Sequence, residues 1–420
     1  MLLSFRVVNH RSLRDLQHLN LAPIYGADRP VGTHRPAVPV VAIYGANASG
    51  KSNLIQALGY LRDMVLDSDR GAEPGLGVAR SPFLLDPEVA RTPSSFDADA
   101  VIEGTHYSYG FTVDDGGVVE EWLYRYPKKR RQVVFTREGR SYRYGTTTRA
   151  DLREAEGITA DNVLFMSVAS RAGKSELLPF YQWLRGMRPS AERPSSFSAN
   201  RRTPLSTRFG IATQDEARRR VVLGLLRAAD LGIEDFGVST VDDDPVHQKL
   251  VNAFEPRSIW FRMNGANSGG TLTFDDQSDG TRLFIARMLD VLDVLASGSV
   301  IVVDELESNL HPNLAGHIVR MFQDPATNPH GAQLIFTSHD ISLLGSNGET
   351  LKRDQIWFAE KDRGSGASRI FPLTDFKPRD TENTERRYRG GSYRAVPFVD
   401  EEAMFAAVAE CARRIEPADA

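Results

Sequence analysis

The chain has 420 residues, 41% of them hydrophobic and 25% charged, with a formal net charge of -4. That length suits one large domain with insertions or roughly two to three smaller ones, and the balance is that of an ordinary globular protein. The near-neutral charge does not announce a nucleic-acid binder, and the single cysteine, Cys411, rules out an intrachain disulfide and makes a cysteine metal site unexpected. The N-terminus meets charge at Arg6 without a long apolar core, and no apolar run is long enough to span a bilayer. A cytoplasmic protein without signal peptide or membrane segment is therefore expected.

Residues 1–23 alternate apolar and polar positions and read as strands, and 24–38 read as a Pro/Gly-rich loop. Val38–Tyr44 is a nearly continuous apolar run, the mark of a strand buried on both faces. A Gly-rich turn follows, and then Leu54, Ile55, Leu58, Leu61 and Val65 recur at helical spacing. Over 83–145 short aromatic-rich strands alternate with the hairpin turns Asp114-Asp-Gly-Gly and Arg137-Glu-Gly-Arg, which predicts an inserted antiparallel meander. Residues 151–235 read as helical, with a loop at Arg171–Lys174 and an irregular, disorder-prone loop over 188–204. Short strands return over 236–274. A helix over 280–297, a buried strand over 300–304, a helix over 312–323 and strands over 332–337 and 354–359 follow. From about 376 the chain reads as charged and irregular, ending in a helix over 400–414. No internal repeat is visible. The expected architecture is α/β: a mixed central sheet flanked by helices, with the meander and a helical arm inserted. The expected segments are 1–82 (first lobe), 83–150 (meander), 151–235 (helical insertion), 236–375 (second lobe) and 376–420 (tail).

Two motifs carry the chemistry. Gly45-Ala46-Asn47-Ala48-Ser49-Gly50-Lys51-Ser52 fits G-x-x-x-x-G-K-[ST] and lies between a buried strand and a helix, as a phosphate-binding loop requires. Its glycines let successive N–H groups face phosphate oxygens, and the following helix aims its positive end at the same anion. Lys51 is expected at the β- and γ-phosphates of ATP, Ser52 at Mg2+, and Asn53 beside them. Val300-Ile-Val-Val-Asp304-Glu305 is a buried strand that ends in two acids. Asp304 is expected at the metal, and Glu305 is placed to orient or deprotonate an attacking water. No Asn-Lys-x-Asp guanine reader is evident, and Glu360-Lys-Asp reads as strand-end charge.

The order of the remaining motifs selects the branch of P-loop proteins. Gln277-Ser278-Asp279-Gly280-Thr281 precedes the helix that leads into the second motif, where ABC-type ATPases carry their signature. Ser308-Asn-Leu-His-Pro312 stands at the D-loop position, and His339, in Thr337-Ser-His-Asp340, at the place of the switch histidine. With Phe5-Arg-Val-Val-Asn-His-Arg-Ser-Leu, Glu120-Glu-Trp-Leu-Tyr, Asp304-Glu-Leu-Glu-Ser-Asn-Leu-His-Pro, Asp354-Gln-Ile-Trp-Phe and Gly391-Ser-Tyr-Arg-Ala-Val-Pro-Phe, these stretches resemble the AAA15/AAA21 group of bacterial ABC-type ATPases, relatives of the SMC and overcoming-lysogenization-defect ATPases. The resemblance implies a homodimer that sandwiches two ATP molecules between the phosphate loop of one subunit and Ser278, Asp279 and Gly280 of the other. It implies His339 as a catalytic residue beside Glu305, an approach of Arg11 to the nucleotide, and a role in phage defence or DNA transactions. Gln277 and Asp279 depart from the signature's usual Leu and Gly, and no coupling glutamine is evident. These departures argue against fast turnover and favour slow hydrolysis, and ATP acting as a conformational switch fits as well.

Lys128-Lys-Arg-Arg131 reads as a solvated hairpin tip rather than a phosphate grip, and Arg218-Arg-Arg220 as helix surface, either solvated or paired with Asp215 and Glu216. Arg386-Arg-Tyr-Arg-Gly-Gly-Ser-Tyr-Arg394 suits nucleic acid or a partner protein, and equally a tail folded on its own core. The function these features favour is an ATP-driven switch that controls an effector such as a nuclease or Toprim-like protein. The rivals are an SMC-like DNA-processing ATPase, for which residues 151–235 lack sustained heptads, and a non-catalytic ATP-sensing scaffold. A transporter subunit is disfavoured by the inserted meander.

Overall fold

A computed structural model describes residues 1–26, 35–73, 75–145, 149–189, 208–210, 215–239, 258–265, 270–308, 310–345, 350–379, 382–396 and 400–414. Its centre is a six-stranded sheet in the order β16-β15-β3-β14-β13-β9. These strands are β3 (Val40–Gly45), β9 (Arg188–Pro189), β13 (Val300–Val303), β14 (Gln333–Thr337), β15 (Ile356–Lys361) and β16 (Ser368–Pro372). All neighbours run parallel except the edge pair β15–β16.

The apolar runs of the central strands follow from burial on both faces. Val41 and Ile43 belong to one core, while Val40, Ala42 and Tyr44 belong to the other. β13 divides likewise, Val300 and Val302 against Ile301 and Val303. The first core lies under helix α1 (Lys51–Gly71) and a seven-stranded antiparallel sheet in the order β2-β1-β4-β5-β6-β7-β8. That sheet joins β1 (Leu2–Val8) and β2 (Gln17–Asn20) to β4 (Ser94–Ile102), β5 (Thr105–Val113), β6 (Val118–Tyr126), β7 (Gln132–Glu138) and β8 (Ser141–Tyr144). β1 pairs with β4 from Leu2↔Ala100 to Val8↔Ser95. The meander strands thus continue a sheet begun by the N-terminal strands, because an open edge of β4 would leave a row of backbone groups unpaired.

Short helix α2 (Pro87–Arg91) leads into β4, and α3 (Arg149–Ile158), α4 (Phe165–Arg171) and α5 (Leu178–Gly186) close the first core. The second core packs α6 (Glu216–Ala228), α7 (Asp279–Ser297) and α8 (Pro312–Gln323) with a three-stranded sheet β10-β11-β12 (Ile233–Ser239, Ser258–Met263, Thr271–Thr273). Among the described residues no helix is long and apolar enough to cross a membrane.

Several expectations are corrected. The region past 376 is not wholly irregular. Helix α9 (Thr384–Arg389) forms there, and Tyr388 and Tyr393 stack on Phe358 of β15 with centroids 5.8 and 4.9 Å away. The aromatics of the Arg-Tyr stretch therefore fold onto the chain's own core. Arg218 and Arg219 pair with Asp293 and Asp235 instead of Asp215 and Glu216. Asp215 instead caps α6 by accepting from Ala217 N. Arg188–Pro189, inside the expected 188–204 loop, adds a short edge strand against β13, and 190–204 lies outside the described residues. The Lys128–Arg131 tip is exposed, with Arg131 over the Tyr124 ring at 3.8 Å. Helix α10 (Glu401–Arg414) closes the described chain.

Candidate functional site

β3 ends at Gly45, and the backbone turns through Ala48, at φ 61°, and Gly50, at φ 104°, before α1 begins at Lys51. Both glycines are forced by close approach. A Cβ on Gly45 would lie 2.4 Å from Ala359 O, and one on Gly50 2.3 Å from Ser368 Oγ. Asn53 and Leu54 N donate back to Gly50 O at 3.1 and 3.2 Å, but among the described residues nothing accepts from Gly50, Lys51 or Ser52 N. Those N–H groups are the orphans of a helix start, a cradle for an anion. Ser49 Oγ is buried there without a partner among the described residues.

The Lys51 side chain is buried and donates to Gly45 O at 2.8 Å and Ala46 O at 3.0 Å. Burial pulls its ammonium down to about 8, opposed by the negative charges of Asp304, Glu305 and Glu307.

Strand order sets the rest of the geometry. β14 lies between β3 and β13, so the carboxyl ends of all three converge. Asp304 Oδ1 accepts from Ser52 Oγ at 3.0 Å and from Thr337 Oγ1 at 2.6 Å. Glu305 N in turn donates to Thr337 Oγ1 at 2.7 Å. Glu305 sits at φ 52°, a left-handed conformation that non-glycine residues adopt only when their surroundings impose it. Its Oε1 lies 3.9 Å from His339 Nε2, and both side chains face solvent. The buried Arg287 of α7 braces this segment by donating to Leu306 O.

The structure thus brings Lys51, Ser52, Asp304, Glu305 and His339 together. Ser278, Asp279 and Gly280 stand apart: Ser278 caps α7 by accepting from Thr281 N, and exposed Asp279 pairs with Arg282. Among the described residues no hydrogen bond or ion pair joins them to 45–53. Arg11 is exposed, at φ 53°, and its neighbour Ser12 accepts from Asn53 Nδ2 at 2.6 Å and from Ser368 Oγ at 2.7 Å. That seats the Arg11 loop against the phosphate loop. Asn309, in the D-loop stretch, lies outside the described residues.

Sequence reasoning did not single out Thr337, Ser12, Ser368 or Glu307. The three hydroxyls act across strands distant in the chain, which no local pattern encodes. Glu307 stood inside a recognised stretch, where its acid next to Asp304 and Glu305 was the available signal.

A phosphate loop and an acid-tipped strand, joined through a parallel sheet in this order, define a P-loop ATPase of the ABC class. The family described as "AAA domain, putative AbiEii toxin, Type IV TA system" matches residues 40–345, and the chain belongs to it. No curated protein matches the chain. Among solved structures, an SMC head domain from Thermotoga maritima is 13% identical with a TM-score of 0.40, covering 88% of this chain and 98% of that one. An SMC head bound to the C-winged helix domain of ScpA is 11% identical, TM-score 0.46, covering 90% and 99%. An SMC head with an extended coiled coil, bound to the C-terminal domain of ScpA derived from Pyrococcus furiosus, is 11% identical, TM-score 0.41, covering 90% and 97%.

Proposed function

We propose that the chain binds and hydrolyses ATP as a dimeric switch that controls an effector. The observation that carries this reading is the hydroxyl–carboxylate network Ser52–Asp304–Thr337–Glu305 at the mouth of a loop with unpaired N–H groups. Ser52 Oγ and Asp304 Oδ1, 3.0 Å apart, are the hydroxyl and carboxylate that would hold Mg2+ beside phosphate oxygens. Lys51 would leave its two carbonyl acceptors for the β- and γ-phosphates. Bound Mg2+ neutralises phosphate charge, and the chain's own Glu305 orients or deprotonates the water, with His339 at its side.

Ser278, Asp279 and Gly280 have no hydrogen bond or ion pair to 45–53 of their own chain among the described residues, which fits their acting in trans. In the proposed dimer each site combines residues 45–53 and Asp304 of one copy with the signature of the other. A family description that names a toxin of a type IV toxin–antitoxin system supports a place in phage defence. The partner would be a nuclease-like or Toprim-like effector; nucleic acid is a further partner class to test.

Glu305→Gln tests the chemistry. The amide keeps the shape but cannot take a proton, so hydrolysis should fall by roughly 100-fold or more while ATP is retained. Light scattering with Mg-ATP should show that variant as a dimer. Normal hydrolysis would remove Glu305 as the base. Mixing Lys51→Ala with Ser278→Arg subunits should restore activity through one intact composite site. Mixed dimers that stay inactive would exclude the trans arrangement, and ATP binding without turnover in the wild type would leave an ATP-sensing scaffold.

A further inference from the structure

The next acid past Glu305, Glu307, has no part in the reading above, yet it joins the segment that follows β13 to the loop that carries His339. Beyond Thr337 the parallel ladder ends. Its last stitches are Leu306 N to Thr337 O at 3.0 Å and Glu305 N to the Thr337 hydroxyl. From there a side chain takes over the ladder's work. Glu307 Oε1 accepts from His339 N and, at 3.2 Å, shares the Asp340 amide with Ser338 Oγ, which accepts from it at 2.9 Å. Two backbone N–H groups aimed at one side-chain oxygen within hydrogen-bond distance fix the loop relative to that oxygen. Asp340 continues the chain of supports, its Oδ1 accepting from Ser342 N at 2.9 Å to start the turn Ile341–Leu344. The other oxygen, Glu307 Oε2, is buried without a partner among the described residues, so the carboxylate's hydrogen bonds run to the loop amides.

We propose that Glu307 is the positioning residue of the switch loop: by holding the His339 and Asp340 amides it fixes where the His339 imidazole stands relative to Glu305, and so sets the rate of ATP hydrolysis without touching ATP. This rests on the ATPase reading above. The imidazole has no hydrogen bond of its own among the described residues. It lies 3.9 Å from Glu305 and faces solvent, so its backbone anchor is what places it. A misplacement of about 1 Å in such a group costs up to roughly 100-fold in rate. The amides need an acceptor oxygen at a set distance, not a charge as such, and this gives the proposal a signature. Glu307→Gln keeps length and one acceptor oxygen; Glu307→Asp keeps the charge but is one methylene too short; Glu307→Ala removes the acceptor.

The experiment measures steady-state ATP hydrolysis, ATP affinity by titration and amide hydrogen exchange of the peptide spanning 338–342 in the full chain. Expected are a kcat for Glu307→Gln within about 3-fold of wild type and a fall of roughly 10- to 100-fold for Glu307→Asp and Glu307→Ala, with ATP affinity unchanged. In a His339→Ala background Glu307→Ala should slow hydrolysis no further. Exchange at 339 should rise at least roughly 10-fold in Glu307→Asp and Glu307→Ala and stay slow in Glu307→Gln, with a smaller change at 340, whose amide keeps Ser338 Oγ. The proposal is overturned if Asp is active while Gln is not, since charge would then be the requirement. It is also overturned if ATP affinity falls as much as kcat, or if the loss is undiminished without His339. Should Glu307→Ala fail to fold, the contrast between Asp and Gln decides alone. If the wild type binds ATP without hydrolysing it, the ATPase reading falls; equal exchange in all variants then overturns the hold itself.

Discussion

Two buried cations show how differently the two sheets are built. In the antiparallel sheet, Arg137 of β7 is fully buried and completely engaged. It donates to Gly139 O at 2.8 Å, Val163 O at 2.6 Å and Ala160 O at 3.2 Å, and lies 3.7 Å from Glu121 Oε2. Glu121 accepts from Phe165 N, Met166 N and Tyr109 OH, so it also caps the start of α4. Burial pushes the Glu121 carboxyl up, and Arg137 and these donors oppose that push. At the end of the parallel strand β3, Lys51, the first residue of α1, is buried with two loop carbonyls and, among the described residues, no carboxylate within ion-pair distance. Nearby Ser49 Oγ and Glu307 Oε2 lack partners among the described residues. The first arrangement is closed and serves the fold. The second has donors left over, and an incomplete set of buried polar groups is costly unless a ligand completes it.

The largest effect expected from this contrast is on stability. Arg137→Ala leaves Glu121 as an unpaired buried charge and should cost about 3–5 kcal/mol in chemical denaturation. ATP affinity of the folded fraction should stay the same; a parallel loss of affinity would erase the distinction between the two cations.

Lys51→Ala should do the converse. Loss of the charge-assisted contact should weaken ATP binding at least roughly 100-fold, about 2.8 kcal/mol or more, with no loss of stability in the ligand-free protein. Unchanged affinity in a nucleotide titration would remove Lys51 from the site.

A smaller, graded effect comes from pH. With Lys51 near 8 in the free protein, its charged form is present below that pH and lost above it. Phosphate binds the charged form, so ATP affinity should fall above pH 8, by up to roughly tenfold per unit, with proton uptake on binding. Calorimetry at pH 8.5 in buffers of different ionisation enthalpy would detect the proton; its absence would mean that the ammonium is already held charged.

The smallest effect belongs to the core under the antiparallel sheet, which away from Arg137 has an unsatisfied ring of its own among the described residues. His10 is buried against Tyr60 and Phe96, neither ring nitrogen has a partner among the described residues, and burial lowers it to about 3. Its pKa is depressed below the unfolded value of about 6.5, so the unfolded chain takes up the proton first. The contribution is fully present above pH 6.5 and lost as pH falls from there toward 3. Near pH 5.5 the loss should be about 1.4 kcal/mol. His10→Phe should flatten that part of the stability profile, and an unchanged acid limb would show that other groups set it.

Much of this protein was legible without coordinates. Gly45–Ser52 between an apolar run and a helical period, and an apolar strand tipped by Asp304-Glu305, are local patterns. They are local because a phosphate loop is made of consecutive backbone N–H groups and a both-faces-buried strand admits only apolar residues. The helix over 280–297 and the strand at 333–337 were readable for the same reason. What tertiary structure alone decided is pairing at a distance. β1 meets β4 across the intervening phosphate loop and α1, β14 is seated between β3 and β13, and the Arg-Tyr stretch lays Tyr388 and Tyr393 on Phe358. The partners of Arg137, the hydroxyl of Thr337 on Asp304 and the Glu307 hold on His339 belong to the same kind. Side-chain periodicity tells which face of a strand is buried. Which strand lies beside it depends on how two cores close around one sheet, and that is a property of the whole chain.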